Sequence, residues 1–170
     1  MKKEFLIKSG AYCAIFAGAL RCFAAFASEF MSGFYLESLY FAIDICLLFA
    51  VLGFYFQYYE KLKVPALIGF ISCMTGIGLL IGPDQSATGL NVYPYGAGIL
   101  SIGLILISLD SWKSNVISKW TPGIYILSVL TGSVGFFVSE LAWLFVFGGI
   151  LFGISFIGMG FSLLKSSSTQ

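Results

Sequence analysis

The chain has 170 residues, of which 59% are hydrophobic, 18% aromatic and only 10% charged, with a mean hydropathy of +0.97. Soluble domains are about 45–50% apolar and about 25% charged, so this chain lacks the polar residues to cover a water-facing surface. The net charge of +1, with no basic patch, excludes a nucleic-acid binder. What remains is an all-α polytopic protein whose surroundings are the lipid bilayer. A spanning helix needs about 20 apolar residues, so six would use roughly 120 positions and leave about 50 for loops and tails. That leaves room for one six-helix transmembrane domain over residues 1–170 and for no separate soluble one.

In chain order, the apolar runs fall at residues 9–28, 38–56, 65–82, 93–109, 121–138 and 142–163. The first follows Lys2 and Lys3, and its Ala25-Phe26-Ala27 before Ser28 imitates a signal peptide with its cleavage site. Arg21, however, stands where a signal core is uncharged, so the run is read as an uncleaved first span. Glu60-Lys61-Leu62-Lys63 ends the second. Pro65 opens the third, at a position where a missing N–H is harmless, and Gly82-Pro83-Asp84 closes it. Residues 110–119 separate the fourth and fifth, and Pro122 sits just inside the fifth. Only Ser139-Glu140 interrupts the last two, which predicts a tight hairpin and an up-down arrangement throughout.

Lysine placement sets the orientation. With six spans, Lys2, Lys3, Lys8, Lys61, Lys63, Lys113, Lys119 and Lys165 all fall on one side, while the opposite loops carry Glu29, Glu37, Asp84 and Glu140 and no basic residue. Positively charged loops stay in the cytoplasm, so both termini are expected there, in a plasma membrane. Tyr93, Tyr95, Trp112, Trp120 and Trp143 fit an aromatic belt at the two interfaces.

Missing residue types narrow the chemistry. There is no histidine, which removes His-ligated haem, ordinary zinc sites, Ser-His-Asp triads and histidine proton relays. Cys13, Cys22, Cys46 and Cys73 lie within apolar runs without a C-x-x-C pair and are expected to pack as small hydrophobes, with a Cys22–Cys46 disulfide as a minor alternative. No phosphate loop or dinucleotide fingerprint is present. Neither a metal nor a cofactor is expected.

Two hairpins share a pattern. Ser72-Cys73-Met74-Thr75-Gly76 is followed eight residues later by Asp84, and Ser128-Val129-Leu130-Thr131-Gly132 eight residues later by Glu140. Each leads into a helix containing Gly-Ile-Leu, at Gly98-Ile99-Leu100 and Gly149-Ile150-Leu151. The first hairpin, with Gly18 and Glu29, fits more loosely, so three duplicated units and chance both stand as explanations. The glycine-bearing first span, the second ending Gly53-Phe54-Tyr55, then Gly69, Gly76, Gly96, Gly98 and Trp120-Thr121-Pro122-Gly123 resemble small six-span bacterial integral membrane proteins of uncharacterised activity. The resemblance implies a six-span topology and a bacterial plasma membrane, and nothing about sites.

The polar groups inside the membrane carry the functional argument. Arg21 lies about 10 Å and Asp44 about 9 Å below the outer face at 1.5 Å per residue. They fall on adjacent antiparallel helices, and an intramembrane charge costs about 2.5–3.5 kcal/mol or more without a partner, so an Arg21–Asp44 ion pair is expected. Glu37, Tyr40 and Asp44 share one helix face. Ala14, Gly18, Arg21, Ala25 and Ser28 make a stripe that is small apart from the arginine and is expected to pack inside the bundle. Thr75, Ser101 and Thr131 fall at comparable depth. Two explanations remain open. The pair locks the first hairpin while each Ser or Thr bonds its own helix, or these groups line an outward cavity for a small polar or cationic ligand, with Glu37 and Glu140 at its mouth.

Three functional classes follow. A non-enzymatic accessory or assembly protein would dock partner helices, or a second copy, through Gly/Ala faces such as Gly148, Gly149, Gly153, Gly158 and Gly160. A small-solute or ion carrier would use an outward cavity around Arg21, Asp44 and Glu37, although the inner halves of the spans read as almost uniformly apolar. An intramembrane enzyme is not expected, because no nucleophile or metal set accompanies Glu37 and Asp44.

Overall fold

The computed structural model describes residues 3–27, 29–82 and 91–167, and these form six long helices. They are α1 (Lys3–Ala27), α2 (Phe34–Tyr58), α3 (Val64–Ile81), α4 (Tyr93–Ser114), α5 (Trp120–Phe137) and α6 (Trp143–Ser167). Each is long and apolar enough to cross a membrane. Their large apolar side chains are buried on one face and exposed on the other: Phe16, Phe41, Ile71, Ile102, Leu130 and Phe161 all point outward. A helix that is apolar on its exposed side as well as its packed side suits lipid.

Several helices overrun the apolar runs. α1 begins at Lys3 because Lys8 Nζ donates to Glu4 Oε1 at 2.7 Å, one turn apart, and carries the helix past its apolar stretch. Pro65 and Pro94 occupy the first turns of α3 and α4. α4 runs on to Ser114 and stops where Asn115 takes the left-handed conformation and donates its N–H to the Ser111 carbonyl. A 3-10 turn at Ser139–Leu141 makes the expected tight link between α5 and α6. Asp84 and Ser28 lie outside the described residues.

The helices pack as antiparallel neighbours in chain order, and α6 returns to α1, so they close a ring. The ring is uneven. α1–α2, α3–α4, α5–α6 and α1–α6 are extensively packed, whereas α2–α3 and α4–α5 touch lightly. Glycine explains the difference. A Cβ at Gly10 would stand 2.7 Å from Gly53 Cα, and one at Gly69 2.5 Å from the Gly103 carbonyl. Gly18 meets Gly153 in the same way, and Gly148 meets Gly132. Backbones at this separation exclude any side chain, which is how helices associate where lipid supplies no hydrophobic drive.

The buried face of α2 repeats at helical spacing through Ile43, Leu47, Ala50, Val51, Phe54 and Tyr58. It shares one core with the buried alanines of α1, Ala11, Ala14 and Ala17. At one end of the ring Lys3 Nζ lies 5.3 Å from the Tyr59 ring, and the backbone N–H of Lys63 donates to Asp110 Oδ2 at 2.6 Å. All the described lysines therefore gather at that end, and Glu29, Glu37 and Glu140 at the other.

Candidate functional site

Two polar clusters emerge. The first is built on Arg21. The Gly10–Gly53 crossing fixes an antiparallel register that brings Arg21 level with Ala42, between Tyr40 and Asp44 of α2. The Gly18–Gly153 and Ala11–Gly160 contacts set the register of α1 on α6 and bring Arg21 beside Gly149. A Cβ at Gly149 would stand 3.8 Å from Arg21 Nε. The guanidinium carbon lies 5.7 Å from the centroid of the Tyr40 ring, within cation–π reach.

The expected Arg21–Asp44 ion pair does not close. The helix register puts Asp44 less than one turn from the level of Arg21. No nitrogen–oxygen contact between them falls within 4.0 Å, and Lys8–Glu4 is the ion pair seen among the described residues. The physical reason is that Arg21 is drawn over Tyr40 and toward α6, an element that its position in the sequence did not suggest as a neighbour. Arg21 and Asp44 are both half-buried, and neither makes a hydrogen bond to a described residue.

The other candidates separate into different surroundings. Glu37 is exposed in the first turn of α2, where a carboxylate is favoured by the helix dipole. Glu140 is exposed in the 3-10 turn. Thr75 donates to the Ile71 carbonyl at 3.0 Å and Thr131 to the Leu127 carbonyl at 2.9 Å, each on its own helix. Ser101 is half-buried on α4. The structure thus brings Arg21, Tyr40 and Asp44 together and leaves Thr75 and Glu140 outside that group. Ala14 and Gly18 of the small-residue stripe are buried, as its spacing predicts.

Neither Arg21 nor Asp44 lines either of two openings among the described residues, an apolar groove and a small cavity at the lysine end. A wholly apolar groove of about 500 Å³ lies on the outer surface between α1 and α2, bordered by Tyr12, Cys13, Phe16 and Cys46. The cysteines are all free. Cys22 faces α6, its Sγ 3.6 Å from the Ile150 carbonyl, so it does not meet Cys46.

The second cluster was not foreseen. At the lysine end, hydroxyls of α4, α5 and α6 converge. Ser155 Oγ donates to the Thr121 carbonyl at 2.9 Å, and Ser108, Ser111, Thr121 and Tyr125 surround a small cavity beside it. Two turns higher, Ser128 Oγ donates to the Gly148 carbonyl at 2.8 Å. Asp110, 4% exposed, carries its carboxylate across to the start of α3. In the sequence these residues are scattered singly through apolar runs.

The glycines of α6 turn inward. Gly148 and Gly158 pack on α5, and Gly153 and Gly160 pack on α1. The two later hairpins also share their crossing: Gly76 lies against Gly96 and Leu100, and Gly132 against Gly148. Gly18 departs from this pattern, since it meets α6 rather than α2. Compared with protein-family models, curated proteins and solved structures, the chain matches none.

Proposed function

We propose that this chain is a non-enzymatic multi-pass protein of a bacterial plasma membrane, with both termini cytoplasmic, that binds a small polar solute at Arg21 from the acidic side. One observation carries the reading. Arg21 is a half-buried arginine within a spanning helix, with an aromatic face beneath it and no hydrogen bond or ion pair to any described residue. An intramembrane charge is a functional feature by default, and a guanidinium with free donors suits a ligand oxygen. Asp44, near the same level on α2, offers a second polar point of attachment.

The accessory reading, in which the protein docks partner helices or a second copy, draws less support. Four of the five α6 glycines that suggested it are occupied by the protein's own helices. What favours it is Gly78 on α3 and Gly98 on α4, where a Cβ would meet nothing within 4 Å.

The test is thermal unfolding of the purified protein in detergent, with acetate, phosphate, choline and glycine as separate probes. At least one probe is expected to raise the midpoint, and Arg21→Gln to abolish the shift. If no probe moves the wild-type midpoint, or if Arg21→Gln keeps the shift, solute binding at Arg21 is wrong.

A further inference from the structure

The small cavity at the lysine end has a volume of about 30 Å³ and a largely apolar wall, Phe54, Leu104, Ile107 and Met159 among it, into which Ser108 and Ser111 of α4, Thr121 and Tyr125 of α5, and Ser155 of α6 are set. Four side-chain polar atoms among the described residues are buried without a hydrogen-bond partner at close distance, and three belong to residues of this wall: Ser111, Thr121 and Tyr125, the Tyr125 hydroxyl standing next to Ser101, which does not line the cavity. These residues are 0, 2 and 2% exposed. A buried hydroxyl left without a partner is costly, and native interiors meet that need with ordered water wherever space allows. One water requires roughly 10–15 Å³ of such space, so this cavity has room for about two.

We infer that the cavity is a water site, holding two ordered waters that bridge α4 to α5 and α6. Thr121 Oγ1 faces Gly158, and bonding to water in the cavity takes a turn about χ1 that exchanges the hydroxyl with its methyl. The wall is apolar apart from its hydroxyls and carries no charged group, so it offers nothing to an ion, and the volume excludes a larger solute. The site also accounts for a feature of the fold. α4 and α5 touch lightly and share none of the glycine crossings that join the well-packed pairs. Bridging waters supply at this seam the contacts that backbone approach supplies elsewhere.

Two measurements decide the matter. Thr121→Val keeps the side-chain shape and deletes the hydroxyl. In a hydrated site it lowers the thermal midpoint in detergent by roughly 2–4 °C, Ser111→Ala does the same, and Thr121→Ser restores most of the loss. In a dry site Thr121→Val removes an unsatisfied group, so an unchanged or raised midpoint overturns the proposal. An experimental structure fine enough to show water is expected to place two density peaks in the cavity, within hydrogen-bond distance of Ser111 and Thr121. A cavity without density overturns the proposal even where a variant fails to fold.

Discussion

Replacing Gly10 with alanine tests whether glycine contacts hold the ring together. The added methyl would stand 2.7 Å from Gly53 Cα and 2.8 Å from the Phe49 carbonyl oxygen. Both are backbone atoms of α2, so neither can swing aside. Carbon atoms pack at about 3.5 Å or more, so α1 and α2 must separate by roughly 0.8 Å at their crossing. Overpacking of this kind costs about 1–3 kcal/mol. The helix-propensity gain of alanine over glycine, about 0.5–1 kcal/mol in water, offsets little here, because spanning helices stay helical when they dissociate within the bilayer. The folded-to-dissociated ratio is therefore expected to fall by roughly 5- to 150-fold. The assay is a reversible denaturant titration in mixed micelles, followed through the fluorescence of Trp112, Trp120 and Trp143. Gly78→Ala is the control, since a Cβ there meets nothing within 4 Å. Adding Gly53→Ala to Gly10→Ala should cost less than the sum of the two, because both changes widen one gap. If Gly10→Ala and Gly78→Ala titrate alike, the crossing does not carry the stability assigned to it.

Two further predictions concern the lysine end and its orientation. Asp110→Ala removes the carboxylate that accepts the Lys63 N–H and is expected to cost about 1.5–3 kcal/mol, the range for a hydrogen bond to a charged group. Asp110→Asn, which keeps an acceptor oxygen, should cost less in the same titration, and equal stability of both variants with wild type would remove Asp110 from the joint between α3 and α4. For orientation, single cysteines at the exposed positions Ser118 and Ser139, in a background without the four native cysteines, are treated in intact cells with an impermeant thiol reagent. Ser139→Cys should be labelled and Ser118→Cys protected; the reverse pattern would invert the assignment of the lysine end to the cytoplasm.

The six helices were legible because lipid imposes a length of apolar chain that few other environments require. Their ends were less so, since a helix continues beyond the hydrocarbon wherever local pairs support it, as Glu4 and Lys8 do at the start of α1. Ring closure left no local signal. Gly18 and Gly153 lie more than 130 residues apart in the chain, and nothing near either says that α1 meets α6 along its whole length. That unseen neighbour also redirected the site. The depths of Arg21 and Asp44 were readable by counting residues, but the placement of Arg21 over Tyr40 and beside Gly149 depends on two helix registers at once. The hydroxyl cluster was hidden for a related reason. A lone serine or threonine in an apolar helix usually bonds its own backbone, as Thr75 does, and only the fold distinguishes Ser111, Thr121 and Ser155 from that ordinary case.

The open Arg21–Asp44 pair and the tight Gly10–Gly53 contact belong to one geometry. Arg21 is eleven residues beyond Gly10 on α1, about 16 Å along the axis. Two helices crossing at about 20° slide past one another by roughly 5–6 Å over that length, which widens an interaxial gap of about 8 Å by about 2 Å. The arginine side chain is long enough to lie across the Tyr40 ring there without closing on Asp44. On the other side, Gly18 lies only one turn before Arg21 and holds α6 close, so Gly149 offers the guanidinium a wall with no side chain of its own. The gap between the two charges follows from where the Arg21 side chain lies, across Tyr40 and toward Gly149, and under the proposed binding role a ligand reaching Arg21 would find its donors free without first breaking an ion pair.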